Sequence, residues 1–437
     1  MRRLAKWPAA PGGGALAKWS GAPGGGASVK WSAAPGSGAL VVFAALAACV
    51  LAIAGCGGGA TRLIVKTTGT SGAPSTASPA AGIGFPVLAT KNTTRVSGAN
   101  SIANAAGVAL AVFPSAAPGT HPTAVTLAPT DDWEAAIAAS VLMAPPIRAP
   151  VLLSGSASLP PATANALGLL APTGSGPAGG AQVIRVGDVP APTGRRAATI
   201  SGSGPYALAA AIDRFQSAAA GKPSADVVIA SADSPAYAMP AAGWAAESGD
   251  PVLFVNSTGI PAQTAQALQS DQMPHIYVLG PSSVISDAIL NQLRKYGTVN
   301  RVGATGPAAN SVAFAVYRDP PCPVNQPCAH VPGSFGWAMR SPGHGYTLIN
   351  AGNTLDAAAS APLSASGSYG PQLLIENPNT LPQPVLNFFL DYATPGYTAE
   401  GPTAAVYNHG WVIGDPSTIS VSVQAEMDSL LEVVQQK

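Results

Sequence analysis

The sequence predicts an α/β fold in which one strand-and-helix unit, built on a mainly parallel sheet, is used three times. Three recurrences predict it. A short apolar strand ending in Gly appears as RVSG at 95–98, TISG at 199–202 and RVG at 301–303, about a hundred residues apart. An apolar strand following Pro appears as PVLLSGS (150–156), PVLFVNS (251–257) and PQLLIEN (371–377). A further apolar run ending in Gly appears as QVIRVGD (182–188), HIYVLGP (275–281) and GWVIGDP (410–416). Ala-rich stretches at helical spacing separate them. Short apolar runs alternating with helices argue for a parallel sheet covered on both faces, with right-handed crossovers.

The middle copy is the most regular. It predicts strands near 197–201, 225–231, 251–256 and 274–280, and helices near 204–219, 235–248, 261–270 and 283–296. Ser203 and Ser282 are candidate N-caps, and Pro261 sits where a first-turn proline is tolerated. Two departures from the period are informative. The third copy carries an insertion of about twenty residues near 319–341, which holds Cys322 and Cys328 and is expected to decorate the core rather than join it. The first copy lacks a short helix between its last strand and the strand at 199, so a neighbouring copy is expected to cover the exposed sheet face.

Composition narrows the function. The 437 residues carry a net charge of +1, with 9% charged and 47% apolar. Charge-driven disorder is excluded, and a general nucleic-acid binder would need a basic excess. Residues 4–39 are three copies of a twelve-residue unit, each with a Lys-Trp pair followed by Pro-Gly, and no fold is expected there. They read as an extended signal n-region, as residues upstream of the true start, or as a basic tail touching wall or headgroups. An uncharged run at 39–55 follows, preceded by basic residues alone, which is the secretory pattern. Its end, Ile53-Ala54-Gly55-Cys56, resembles the lipobox of bacterial lipoproteins. That resemblance implies cleavage before Cys56 and lipidation of its thiol, with Cys49 as the alternative. An uncleaved anchor would leave the protein on the same membrane face.

The domains read as signal region 1–55, Gly/Ser/Thr/Pro tether 56–92, and repeats at 93–194, 195–297 and 298–437. Outside the cytoplasm, Cys322 and Cys328 are expected to form a disulfide rather than a metal site.

The third copy reads NTLDAAASAPLSASGSYGPQLLI at 353–375. This resembles the hallmark of the cell wall-binding repeat type 2 family, with Asp356 at the family acid, then Ala361-Pro362-Leu363 and Leu373-Leu374. In the first copy Glu134 takes the acid position, and in the second Tyr237 does. The family's opening motif is matched by Arg95, Gly98 and Asn100, by Gly202 and Tyr206, and by Arg301 and Gly303. The resemblance covers about 93–436. It implies a compact, pseudo-threefold module of Rossmann- or Toprim-like units that grips an anionic wall polymer, teichoic-acid-like or another glycan. Candidate polymer-binding residues on that basis are Arg95, Asn100, Glu134, Tyr206, Arg301 and Asp356.

Catalytic constellations are missing from the sequence. There is no Gly-x-Ser-x-Gly elbow, no Ser-x-x-Lys and no Walker loop, and the five His are scattered. GSG at 202–204 reads as a strand-to-helix turn before a Rossmann echo. Asp131 or Asp132 is expected to cap a helix, with Glu134 favouring its first turn. Trp133, Trp244 and Trp411 could stack on sugars, but core packing accounts for them first. The expected protein is a non-enzymatic, lipid-anchored wall binder on the outer membrane face, without cofactor, metal or nucleic acid. A solute-binding lipoprotein and a structural scaffold without ligand are the alternatives.

Overall fold

Runs of Val, Ile and Leu no longer than six residues, each followed by Gly, Pro, Asn or Ser, dictate short strands buried on both faces. The computed structural model describes residues 86–321, 334–366, 369–397, 401 and 405–435. The Lys-Trp repeats, Cys49, Cys56, Cys322 and Cys328 lie outside the described residues, as does most of the stretch read as a tether. The described residues all fall within one unit, Ser71–Lys437. Among them no helix is long and apolar enough to cross a membrane.

Three larger sheets organise the chain. The first contains β3 (Val125–Pro129), β4 (Val151–Ser154), β5 (Val183–Val186) and β6 (Ala197–Ile200), in the order β4-β3-β5-β6. The second contains β7 (Asp226–Ser231), β8 (Val252–Val255), β9 (His275–Leu279) and β10 (Thr298–Val302), in the order β8-β7-β9-β10. The third contains β11 (Gly345–Asn350), β12 (Gln372–Ile375) and β14 (His409–Ile413), and it is completed by β2 (Thr93–Val96) and β1 (Pro86–Ala89) from the other end of the chain. Its order, β12-β11-β14-β2, repeats that of the other two. Every pairing in these sheets is parallel except β1 with β2. β13 (Gly396–Tyr397) and β15 (Val434–Gln435) form a separate two-stranded parallel sheet. β1 falls inside the stretch 56–92 read as a tether, so the end of that stretch is ordered sheet.

Each sheet thus takes its last parallel strand from the start of the next repeat. The helix after that strand then crosses to the following sheet. α1 (Ser101–Val112) follows β2 of the third sheet but packs on β4 and on α3 (Pro161–Leu170) of the first. α4 (Pro205–Ala220) follows β6 but packs on β8 and on α7 (Ala262–Ser270). α9 (Pro307–Val316) follows β10 but packs on β12 and on α11 (Gln383–Phe388). Strand and helix of one connection serve two sheets, so no sheet can bury both faces without its neighbours.

The centre is made by helices that follow the first strand of each sheet. These are α2 (Trp133–Ala139), with the 3-10 turn Ser140–Met143 after it, then α6 (Pro240–Ser248) and α10 (Leu355–Ser364). α6 packs on α10 and on that turn, and α10 on α2. Their Ala-rich sequences explain the closeness, since small side chains let helix backbones approach. At Gly243 a Cβ would stand 2.6 Å from Ser364 Oγ and 3.2 Å from Gln372 Cγ. Gln372 then stitches this junction, accepting from Gly243 N at 3.2 Å and donating to Ala357 O at 2.7 Å and Ser360 Oγ at 2.9 Å.

In the middle copy every expected strand and helix is present to within a few residues, although α5 (Pro235–Ala238) and α6 divide one expected helix. The caps differ. Gly204, not Ser203, precedes α4, and Ser286, not Ser282, caps α8 (Asp287–Leu293) by accepting from Ile289 N. Pro261 is the N-cap residue of α7. The missing helix between β5 and β6 is indeed absent, but the cover differs from the expectation. Val183 is packed with Val189 of the short connection, Leu110 of α1 and Leu167 of α3, all from the same repeat. The outer positions of β6, Ala197 and Thr199, are exposed, small or polar, and need no cover. The insertion also does more than decorate. Asp319 and Phe335 join its flanks by paired backbone hydrogen bonds. Phe335 stacks on Tyr277 at 3.5 Å, and Trp337 meets Trp244 edge-on at 5.2 Å, both deep in the core.

Candidate functional site

Open parallel sheets take ligands at the carboxyl ends of their strands. In the first sheet these ends surround a cleft of ≈ 370 Å³ whose lining includes Asp131, Asp132, Ser156, Asp188, Gly202 and Gly204. Asp132 is the N-cap of α2, accepting from Ala135 N at 2.8 Å. Burial raises its carboxyl pKa, the Ala135 N–H opposes that, and Asp131 adds repulsion. Glu134 follows in the first turn and is half-buried. Burial, chiefly, pushes its carboxyl up to about 7; its own N–H works the other way, and Asp132 and Asp233 add repulsion. Asp233 stands at the carboxyl end of the second sheet, and Trp133 meets Phe254 of β8 edge-on at 5.6 Å. The start of α2 therefore lies at the junction of the first two sheets.

The turning glycines serve close approach. A Cβ at Gly98 would lie 2.6 Å from Asn104 N, and one at Gly202 would lie 2.7 Å from Leu208 N. The GSG at 202–204 is accordingly a strand-to-helix turn, with Gly204 at φ +85°.

The two matched arginines point inward. Arg95 on β2 is 1% exposed. Its Nε donates to Gln424 Oε1 at 2.9 Å, its Nη1 to Gly414 O at 2.8 Å and its Nη2 to Ser420 O at 3.3 Å. Burial pulls its pKa down to about 10, against the pull of Asp415. Arg301 on β10 repeats the contact, donating to Gly280 O at 2.9 Å, Ile285 O at 2.8 Å and Asp287 Oδ1 at 2.8 Å. In both cases the guanidinium holds the loop after the neighbouring strand. In the first sheet Thr199 stands at the corresponding position. Arg185, directly paired with it across β5 and β6, takes over and donates to Val189 O and Thr199 Oγ1. Arg185 was not singled out from sequence, although an Arg on the adjacent strand opposite the missing one is a readable signal.

The other candidates are dispersed. Asp356 is fully buried in α10, where its Oδ1 accepts from Asn104 Nδ2 of α1 at 2.9 Å, and burial raises its pKa. Asn104 Oδ1 in turn accepts from Gly98 N at 2.9 Å. Tyr237, at the same place in the second copy, accepts from Gly306 N through its hydroxyl at 2.9 Å and from Asn310 Nδ2 through its carbonyl at 3.3 Å. The acid positions thus mark the junctions between sheets. Asn104 and Asn310, six or seven residues after a turning glycine, are partners that sequence reasoning missed. Asn100 is exposed and caps α1 through Ala103 N. Tyr206 accepts at its hydroxyl from Asn256 Nδ2 at 3.1 Å, at the carboxyl end of β8. Trp244 is core; Trp133 and Trp411 are half-buried.

The carboxyl edges are acidic. Asp131, Asp132 and Asp188 lie there in the first sheet, Asp233 in the second, and Glu376 and Asp415 in the third. Arg95, Arg185 and Arg301 are engaged with main-chain carbonyls rather than facing a ligand. Among the described residues no group of three or more His, Cys, Asp or Glu side chains is placed to hold a metal ion.

Residues 199–290 match the family Cell wall binding domain 2 (CWB2). The fold is similar to that of Cwp8 from Clostridium difficile, at 16% identity and a TM-score of 0.57, over 78% of this chain and 53% of that one. It is also similar to Cwp6 from Clostridium difficile, at 15% identity and a TM-score of 0.58, over 78% of this chain and 48% of that one. The present chain therefore spans about half the length of each. No curated protein matches in sequence. The CWB2 match supports a cell-wall-associated binding role, at the cell surface or in the wall.

Proposed function

We propose that the chain is a non-enzymatic wall-binding lipoprotein, lipidated at Cys56, with three copies of one Rossmann-like module set about a pseudo-threefold axis. The observation that carries this reading is the CWB2 match at 199–290, set in a chain whose three sheets share one strand order. The modules run 93–194, 195–297 and 298–437, each lending its opening strand to the sheet before it, with a Cys322–Cys328 disulfide closing the insertion of the third. A wall glycan would lie along the carboxyl-edge clefts, beginning with the one between Asp131, Asp188 and Gly202. Glu134, Asn100 and Tyr206 stand at or near these edges and are its candidate contacts. Arg95, Arg301 and Asp356 support the clefts from within. An anionic wall polymer would then be read through hydrogen bonds to its hydroxyl and amide groups, because Arg95, Arg185 and Arg301 at the strand ends are spent on the fold and the edges carry carboxylates.

Sedimentation of the full chain with purified sacculi tests the proposal. Pelleting with untreated walls and a reduced yield with teichoic-acid-stripped walls is the expected result. A folded chain that stays in the supernatant with both preparations would refute it.

A further inference from the structure

The two ends of the first sheet carry opposite charge. Its carboxyl edge holds Asp131, Asp132 and Asp188. Its amino edge is built from residues 113–123, 144–150, 167–182 and 190–197, which include Arg148, Arg195 and Arg196 and no Asp or Glu. Hydrogen bonds gather these segments at one place. Arg195 Nη2 donates to Leu167 O, near the end of α3, at 3.3 Å, and His121 Nδ1 lies 2.9 Å from Leu170 O. Arg196 N donates to Gln182 Oε1 at 3.2 Å, while Gln182 Nε2 donates to Pro172 O at 2.8 Å. Thr123 Oγ1, two residues after His121, donates to Ile147 O at 3.0 Å and so brings the Arg148 turn alongside. Arg148 and Arg196 are exposed and Arg195 is partly so. None of the three has a carboxylate partner among the described residues. Arg148 is held at φ +55°, in the left-handed region that a long side chain seldom adopts. Leu169 stands out of the same edge at 57% exposure, and Pro145 and Pro146 are exposed beside Arg148. The stretch free of acids ends beyond Pro145, where the rim of the next cleft carries Lys222 together with Asp226.

We propose that the amino edge of the first sheet docks on the anionic headgroups of a lipid bilayer, with Arg148, Arg195 and Arg196 against the phosphates and Leu169 set into the interface. Unpaired guanidiniums on an edge without carboxylates are attracted to an anionic leaflet, and their planar donors suit phosphate oxygens. Leu169 selects a bilayer over a soluble polyanion. A polymer in water gains from the cations alone, whereas the headgroup region also takes up an apolar tip set among them. Docked in this way, the first sheet would turn its acidic carboxyl-edge cleft away from the membrane, toward the wall. The inference rests on the placement beside a membrane proposed above, but not on wall binding. Failure to bind sacculi would leave it standing, and its own failure would leave wall binding untouched.

Amide hydrogen exchange of the full chain on vesicles tests the docking, because it reads this edge locally, however the chain is held to the membrane. Vesicles of phosphatidylcholine are compared with vesicles in which phosphatidylglycerol replaces a third of it. Exchange in 168–182 and 190–197 should be several-fold slower on the anionic vesicles, since three arginines give roughly a hundredfold preference for such a surface. Raising NaCl from about 0.1 to 1 M should remove the difference. Arg148→Gln, Arg195→Gln and Arg196→Gln together should abolish it. Equal exchange on the two kinds of vesicle, or a difference that survives in the triple variant, would overturn the proposal. So would equal protection by soluble teichoic acid that Leu169→Gln leaves unchanged, which would assign the patch to the wall polymer instead. If the triple variant fails to fold, Leu169→Gln keeps every arginine. Its protection on anionic vesicles should fall at least twofold, and full protection would overturn the assignment.

Discussion

The junction that closes the chain and the junction between the first two sheets place an acid at the same point of the repeat and treat it differently. At the closing junction Asp356 is sealed inside α10, and Asn104 supplies it with a donor from the first helix of the chain. At the first junction Leu208 occupies the place where Asn104 approaches its turning glycine, and Glu134 is left half-buried between Asp132 and Asp233. A repeat position can thus hold neighbours together in one copy and be left near a cleft in another. The arginines follow the same division: Arg95 is wholly interior, whereas the Arg301 side chain is 22% exposed and shares its charge with Asp287.

Substitutions at these positions should rank in a definite order. Arg95→Ala should be the most damaging, at about 3 kcal/mol or more by urea unfolding, because it strands two buried acceptors and one part-buried one. Arg301→Ala should cost only about 1 kcal/mol, and equal losses would erase the distinction between the two sites. Gly243→Ala should cost about 1–3 kcal/mol, since its Cβ meets Ser364 at 2.6 Å and the central helices cannot part cheaply. Asp356→Ala should cost about 2 kcal/mol by leaving Asn104 Nδ2 without its acceptor, with Asp356→Asn milder. Glu134→Gln should be the gentlest, and its effect depends on pH. Glu134 has a folded pKa above its unfolded value, so the folded state binds more protons than the unfolded one between about 4.5 and 7. Stability therefore falls as pH rises through that window, and Glu134→Gln should remove that share of the slope. A slope that rises with pH, or one unchanged in the variant, would contradict the assignment.

Much of the architecture was legible from the chain. Period and apolar patterning located the strands and helices of the middle copy, and the need to cap a helix start narrowed the cap to Asp131 or Asp132, of which the structure uses Asp132. The phase of the repeat was not legible. A spacing of about a hundred residues fixes the length of a unit, yet it does not say which sheet an opening strand joins. TISG at 199–202 reads equally well as the beginning of one unit or the end of another, and only the pairing of β6 with β5 decides it. The inward turn of Arg95 was hidden for a related reason. Its acceptors, Gly414, Ser420 and Gln424, lie more than three hundred residues away in sequence. An Arg beside a strand end looks like a surface cation until the last sheet closes over it. Phe335 and Trp337 escape the period because an insertion in the repeat length need not be an insertion in space: both pack deep in the core.

The salt dependence of sacculus binding decides between the two modes of recognition, because charge pairing with a polyanion weakens steeply with ionic strength and hydrogen bonding in the clefts does not. The full chain should pellet with untreated walls to nearly the same extent from about 50 to 200 mM NaCl. Release from the walls over that range, at a rate expected of several charge pairs, would show that exposed cations rather than these clefts carry the binding.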